Sequence, residues 1–284
     1  MKILSVIESE KDFIKLKALS DGFIIRYDRL NYKSRNRLSI EKIWQLSENI
    51  QASEKEVFLD CTLLSTNNEL EIFVAILKKF IKINGIIVSD IGFINIALKE
   101  KLAHLLIYNP ETLLTNHHDF NFFADYKLYG AFLAKELSLE EAIEILALKK
   151  YKSFIIGFGH LNMFYSRRKI LSNYLKSEKK KKYALNDFHF QLREELRPDF
   201  LPLLETIHGS AIFRAKPLSL LAELKQLQTL DYLVLDNVFI NRASYYQVVS
   251  TFKAVLSGSI KELPVETDSG LLYNKSLIQK EPKQ

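Results

Sequence analysis

The sequence predicts an α/β fold of the (β/α)8 TIM-barrel type, with an insertion after strand seven and an irregular C-terminal tail. Three observations lead there. Short apolar runs alternate with amphipathic stretches through the first 160 residues, eight such runs occur in all, and 284 residues suit one α/β barrel. An open doubly wound sheet is the rival, but no G-x-G-x-x-G follows the first run.

The runs are rich in Ile, Val, Leu and Phe, residues that favour a pleated, buried surface. Ile3–Ile7, Gly22–Tyr27 and Val57–Cys61 read as the first three strands, and Gly85–Ser89, His104–Tyr108, Tyr126–Phe132 and Ser153–Phe158 as the next four. Between them Ile40–Ile50, Glu69–Ile83, Phe93–Lys99 and Leu139–Lys149 carry apolar residues at three- and four-residue spacing, the mark of a helix with one buried face. Ser138 and Glu141 give the last of these a capping box, in which each side chain satisfies a backbone N–H at the helix start.

The eighth strand, Tyr232–Leu235, ends at Asp236 and comes about 70 residues after the seventh. That is far beyond an ordinary strand-to-helix loop. The interval holds a lysine run, a polar helix-like segment (Asn186–Arg197), Pro198 and Pro202. We therefore expect a barrel domain over 1–257 with an insertion at roughly 160–230, and a polar tail over 258–284 marked by Gly258, Pro264, Gly270 and Pro282. No repeat of 20–50 residues is visible.

Composition narrows the chemistry. At 48% hydrophobic and 26% charged residues the chain is ordinary globular protein, not a disordered or fibrous one. Its single cysteine, Cys61, excludes an internal disulfide and any metal centre built from several of its own thiolates. The N-terminal stretch reaches Glu8 before a signal-type apolar core forms, and no uncharged run approaches the roughly 20 residues of a membrane span. A soluble cytoplasmic protein, without membrane partners, is expected. The net charge is +6, of which Lys176, Lys179, Lys180, Lys181 and Lys182, offset by Glu178, supply +4. Such a run is either a solvated loop or a contact to phosphates.

In a barrel the chemistry gathers at the C-terminal ends of the strands. Polar residues there are Glu8, Arg26, Asp28, Asp60, Ser89, Asp90, Asn109 and Glu136, then His160, Ser166, Arg167 and Arg168 after strand seven. Arginine's planar fork matches carboxylate or phosphate. Structural roles compete for several of these residues. Asp60 and Asp90 suit helix caps, Glu136 a solvated face, and Arg167 and Arg168 ion pairs with Glu194 or Glu195. Cys61 suits a small buried hydrophobe. His117, His118 and Asp119 suggest a metal, but adjacent histidines are expected to point to different sides, so no metal site is assigned. G-x-S-x-G, H-E-x-x-H and the P-loop motif are all absent.

The segment Gly159-His160-Leu161-Asn162-Met163-Phe164-Tyr165-Ser166-Arg167-Arg168-Lys169-Ile170-Leu171-Ser172-Asn173-Tyr174 resembles the signature of peptidase family U32, the collagenase-like proteases. Asp90-Ile91-Gly92, Ala134–Glu141, Gly209–Phe213, Tyr232–Asp236 and Gly270–Lys275 match in order, so the resemblance spans nearly the whole chain. It implies a barrel-like catalytic domain. Many members bind an iron–sulfur cluster through four cysteines, and such members hydroxylate ubiquinone or the wobble uridine of transfer RNA. Here Asn162 and Lys169 stand where the first two cysteines are expected, so the four-cysteine cluster is excluded in this chain and no cofactor is assigned. The chain is similar to cluster-free relatives found beside a cysteine-bearing paralogue in low-GC Gram-positive bacteria. The resemblance implies a part in transfer-RNA uridine 5-hydroxylation with that paralogue, the lysines meeting the RNA. A peptidase and a non-catalytic scaffold subunit are the alternatives. We assign Glu136, His160 and Ser166 to catalysis, and Asp90, Asn116, Tyr165, Arg167 and Arg168 to substrate binding.

Overall fold

The structure is a computed structural model that describes residues 1–35, 37–179, 187–196 and 199–274. Eight parallel strands close on themselves. They are β1 (Lys2–Ile7), β2 (Gly22–Arg26), β3 (Glu56–Cys61), β4 (Gly85–Val88), β5 (Leu106–Tyr108), β6 (Gly130–Phe132), β7 (Lys152–Gly159) and, after a long excursion, β13 (Tyr232–Leu235). β6 pairs β7, β7 pairs β13 and β13 pairs β1, so this sheet has no open edge.

Helices α1 (Glu10–Leu16), α2 (Ile40–Gln51), α3 (Asn67–Lys79), α4 (Ile91–Lys99), α5 (His117–Phe122) and α6 (Leu139–Leu148) cross between successive strands, and α8 (Arg242–Leu256) follows β13. Polar caps fix where most of them begin. Ser9, Ser39, Asp90, Asn116, Ser138 and Asn241 each accept a backbone N–H of the first turn. Thr66 and Glu69 form a capping box on α3, as Ser138 and Glu141 do on α6.

Strand alternation sorts the side chains into two layers. Leu4, Val6, Ile24, Phe58, Ile87, Ile107, Phe132, Phe154, Tyr232 and Val234 fill the barrel, with Phe154 stacked on Tyr232 at 4.5 Å between ring centres. Their neighbours, among them Ile3, Phe23, Val57, Leu59 and Leu233, face the helices.

The interval between β7 and β13 builds a second, antiparallel sheet. Its strands are β8 (Asn162–Ser166), β9 (Gln191–Arg193), β10 (Phe200–Thr206) and β11 (Gly209–Phe213), in the order β8-β11-β10-β9, with α7 (Ile170–Ser177) after β8. β12 (Leu218–Ser219) then pairs the end of β7. The expectation of a helix over Asn186–Arg197 fails in its described part, because Gln191–Arg193 pairs with Phe200–Pro202 as a strand. Strand six is shorter than expected, since Tyr126–Lys127 form a turn in which Lys127 takes φ +58°. His104 and Leu105 belong to a 3-10 turn before β5. From Ser257 to Asn274 the chain is irregular, yet it is not detached. Leu218 bridges Asp268, and the Leu139 N–H donates to the Leu272 carbonyl at 2.9 Å. Among the described residues no helix is long and apolar enough to cross a membrane.

Candidate functional site

The alternation that places Leu4 and Val6 inside the barrel also turns Glu8 inward. Ile24 is followed in the same way by Arg26, Phe58 by Asp60, and Val234 by Asp236. These four form a buried charged layer above the apolar one. Arg26 donates to Asp236 at 2.6 Å, to Asn237 at 3.2 Å and to Asp60 at 3.4 Å, and stands 3.5 Å from Glu8. Burial alone would lower the Arg26 pKa, but Asp236, Asp60 and Glu8 together raise it. Burial likewise works to raise Asp236, and the Arg26 charge holds it below its ordinary value. Asp60 therefore caps no helix; besides Arg26 it accepts the Thr62 N–H and hydroxyl.

A second cluster centres on Glu111, in the loop after β5. Asn109 accepts the Glu111 N–H at 3.2 Å, and Glu111 takes the left-handed conformation, φ +67°, which aims its carboxylate across the mouth. There it accepts from Tyr32 (3.1 Å), Lys33 (3.1 Å), Lys135 (3.0 Å) and the Asn162 amide (2.8 Å). Four donors saturate the acceptor sites of one carboxylate. Burial would raise its pKa, but the two ammonium groups hold it down at about 2, so Glu111 stays ionised and acts as an anchor, not a base. Asn162 also donates to the Tyr32 hydroxyl at 2.8 Å, and the Lys135 ammonium reaches the Asn162 carbonyl.

Beside this cluster lies a cavity of about 300 Å³, lined by Tyr32, Thr62, Ser89, Glu111, Lys135 and Asn162 at its polar wall. Leu64, Leu113, Met163 and Phe164 line it too, and all four are exposed. A polar wall with an apolar lip is the form of a small-ligand site.

The assigned residues are not all gathered there. Tyr165 is: its ring stacks on Tyr32 at 4.4 Å, its hydroxyl donates to the His208 carbonyl, and burial pushes its pKa up to about 12. Glu136 is exposed, whereas its neighbour Lys135 enters the cluster. His160 bonds the Arg214 carbonyl through Nδ1 at 2.8 Å, and burial lowers its pKa. Ser166 accepts the Arg168 N–H and faces Ser210 four residues further along β8 than Asn162, roughly 13 Å away. No hydrogen bond joins Ser166 and His160. Asp90 caps α4 and also accepts the Ser65 N–H, and Asn116 caps α5. Arg167 pairs with Glu69 at 3.1 and 3.2 Å and reaches the Leu64 carbonyl, in place of Glu194 or Glu195. Arg168 is exposed. His117 and His118 do not diverge, since their rings lie 4.0 Å apart. No group of three or more His, Cys, Asp and Glu residues is gathered to hold a metal among the described residues. Of the lysines assigned to RNA, Lys176 and Lys179 are exposed, and Lys180, Lys181 and Lys182 lie outside the described residues.

The residues that sequence reasoning missed are Tyr32, Lys33, Glu111 and Lys135. All stand in loops, where alternation gives no direction. The Asn-Pro-Glu sequence after β5 was the one signal on offer, because Asn109 and Pro110 favour a turn.

The model of peptidase family U32 matches residues 21–275. Among solved structures the chain is similar to "The Structure of the U32 Peptidase Mk0906", with a TM-score of 0.51 at 9% identity over 83% of this chain and 92% of that one. A weaker likeness is to "Crystal structure of C-terminal domain of putative chitinase from Desulfitobacterium hafniense DCB-2", with a TM-score of 0.45 at 7% identity over 90% and 99%. No curated protein matches.

Proposed function

Because the chain belongs to peptidase family U32, we propose that it serves in the 5-hydroxylation of the wobble uridine of transfer RNA, in the cytoplasm, beside a cysteine-bearing paralogue. The observation that carries this reading is Asn162. Where the resemblance expects the first cluster cysteine, this residue joins Tyr32 to Glu111 across the barrel mouth. An amide and an ammonium, at Asn162 and Lys169, do not fit an iron–sulfur cluster. Cys61 does not fit either, since it is buried in β3 and burial pushes its thiol pKa well up. The Glu111 cluster beside the cavity is nevertheless tied together by hydrogen bonds, which supports a site retained for binding.

In this reading Glu111 fixes Lys33 and Lys135, Asn162 fixes Tyr32, and the exposed lip of Leu64, Leu113, Met163 and Phe164 receives the base. These residues bind and orient the uridine and keep water from it. The paralogue supplies the oxidative chemistry. A serine-peptidase reading finds no support in the geometry, because Ser166 lacks a base.

Nucleoside mass spectrometry of transfer RNA tests the proposal. Deleting the gene, alone or with the paralogue's, should deplete 5-hydroxyuridine-derived nucleosides, and a Lys135→Met copy should fail to restore them. Unchanged nucleosides in both deletions would overturn it.

A further inference from the structure

The surface that leads to the mouth carries an arrangement of its own. Between Met163 and Lys179 five cations (Arg167, Arg168, Lys169, Lys176 and Lys179) stand against one carboxylate, Glu178, a net of +4 in a chain whose total is +6. Arg167 is engaged with Glu69, but Arg168, Lys169, Lys176 and Lys179 are all exposed. Apolar rings and side chains are interleaved with them: Met163 is 47% exposed, Phe164 42%, Ile170 41% and Tyr174 52%.

The register places Phe164 and the start of α7 on one side of the antiparallel sheet. Ser166, Ser210 and Glu205 form a cross-strand row. The Ser210 hydroxyl accepts the Ile170 N–H, and the Glu205 carboxylate accepts the Leu171 and Ser172 N–H groups. This row therefore anchors the start of α7. Phe164, two residues before Ser166, projects from the same face as that row, whereas Tyr165 between them turns to the barrel and stacks on Tyr32. Phe164 also lines the mouth cavity. A continuous track thus runs from the basic end of α7, past Arg168 and Lys169, to an exposed ring at the lip.

We propose that this track is a binding surface for single-stranded RNA, with the lysines and Arg168 taking phosphates and Phe164 stacking the base that enters the cavity. It deepens the reading of the mouth as a uridine site and rests on it. The chemistry favours a single strand over a duplex. An unpaired base offers a face to an aromatic ring, whereas the bases of an A-form helix are stacked and out of reach. A base acted on in the cavity must also leave its stack.

The test is fluorescence anisotropy with the full chain and a short uridine-containing oligoribonucleotide, repeated with its duplex and across a salt series. Phe164→Ala should weaken single-strand binding about tenfold. Arg168→Glu and Lys176→Glu should each weaken it and lower the salt slope by about 0.7. All three positions are exposed, and unchanged melting temperatures would show the variants folded. Equal affinity for the duplex, or single-strand affinity untouched by Phe164→Ala and by the charge reversals, would overturn the track. Depleted hydroxylated nucleosides in the deletion strain, together with such a result, would leave the function standing and remove only this surface.

Discussion

Arg26 and Glu111 head two charge clusters at the same end of the barrel, built by different means. The partners of Arg26 stand at or just past strand ends, two residues beyond an apolar interior side chain, so the pleat alone directs them inward. Their network is buried and touches a small pocket of about 60 Å³, at Glu8 and Asn237. The partners of Glu111 come from loops after β2 and β6 and from the start of β8, and Glu111 itself needs a left-handed backbone that costs about 1 kcal/mol or more. Its network borders a cavity. The strand-borne cluster reads as the keystone of the barrel, and the loop-borne one as the proposed site.

The sharpest way to break that distinction is to remove each centre in turn. Arg26→Met leaves Glu8, Asp60 and Asp236 facing one another without a cation, and should cost about 3–5 kcal/mol of stability. Glu111→Gln keeps the shape and some of the hydrogen bonds, and should cost about 1–2 kcal/mol. Urea denaturation measures both. If the Glu111 variant proves the more damaged, the assignment of keystone and site is reversed.

The same contrast explains what could be read from the amino acids. All eight barrel strands were legible, because buried parallel strands are apolar runs bounded by polar loops, and Tyr232–Leu235 matched to the residue. Of the mouth, Glu8, Arg26 and Asp60 were legible since strand period fixes their direction. Glu111 and Lys135 were not, because a loop's direction depends on turns such as the one at Asn109–Glu111. Attention fell on Glu136 while its neighbour Lys135 did the bonding, the hazard of reading side chains where no period orients them. Helix α8 was passed over although Asn241 caps it and Tyr245, Val248, Val249 and Phe252 are spaced for one buried face. Its β-branched and aromatic residues blunt the helical signal.

Acid sharpens the comparison next. The Glu111 pKa is held near 2, against an ordinary 4.5, and that of Asp231, at the opposite end of the barrel with Lys149, Lys152 and Ser153, near 2 against 3.8. Both folded values lie below the unfolded ones. Each group therefore contributes stability that is complete above its ordinary pKa and is lost as pH falls from there through about 2. For Glu111 this amounts to at most about 3 kcal/mol. Melting temperature followed from neutral pH into the acid range should fall for the native chain. It should fall less for Glu111→Gln, and less again when Asp231→Asn is added. A native-like acid profile in Glu111→Gln would mean that the two lysines do not depend on that carboxylate.

The smallest effect belongs to the clasp between the appended sheet and the barrel. Arg167 grips Glu69 with both guanidinium arms, and Glu69 is at the same time the partner of Thr66 in the α3 capping box. Burial would raise the Glu69 pKa, but its bonds to Thr66 and Arg167 hold it below the ordinary value. The Arg167 side chain is 37% exposed, so solvent screens much of the attraction. A double-mutant cycle of Arg167→Ala and Glu69→Gln should give a coupling of about 0.5–1 kcal/mol, the upper end reflecting the two-armed geometry. Arg168→Ala, with its side chain in water, should couple to Glu69 not at all. A coupling at Arg168 equal to that at Arg167 would show that charge alone ties the sheet down. A coupling confined to Arg167 makes it a specific clasp, holding β8, and with it Asn162, over the mouth.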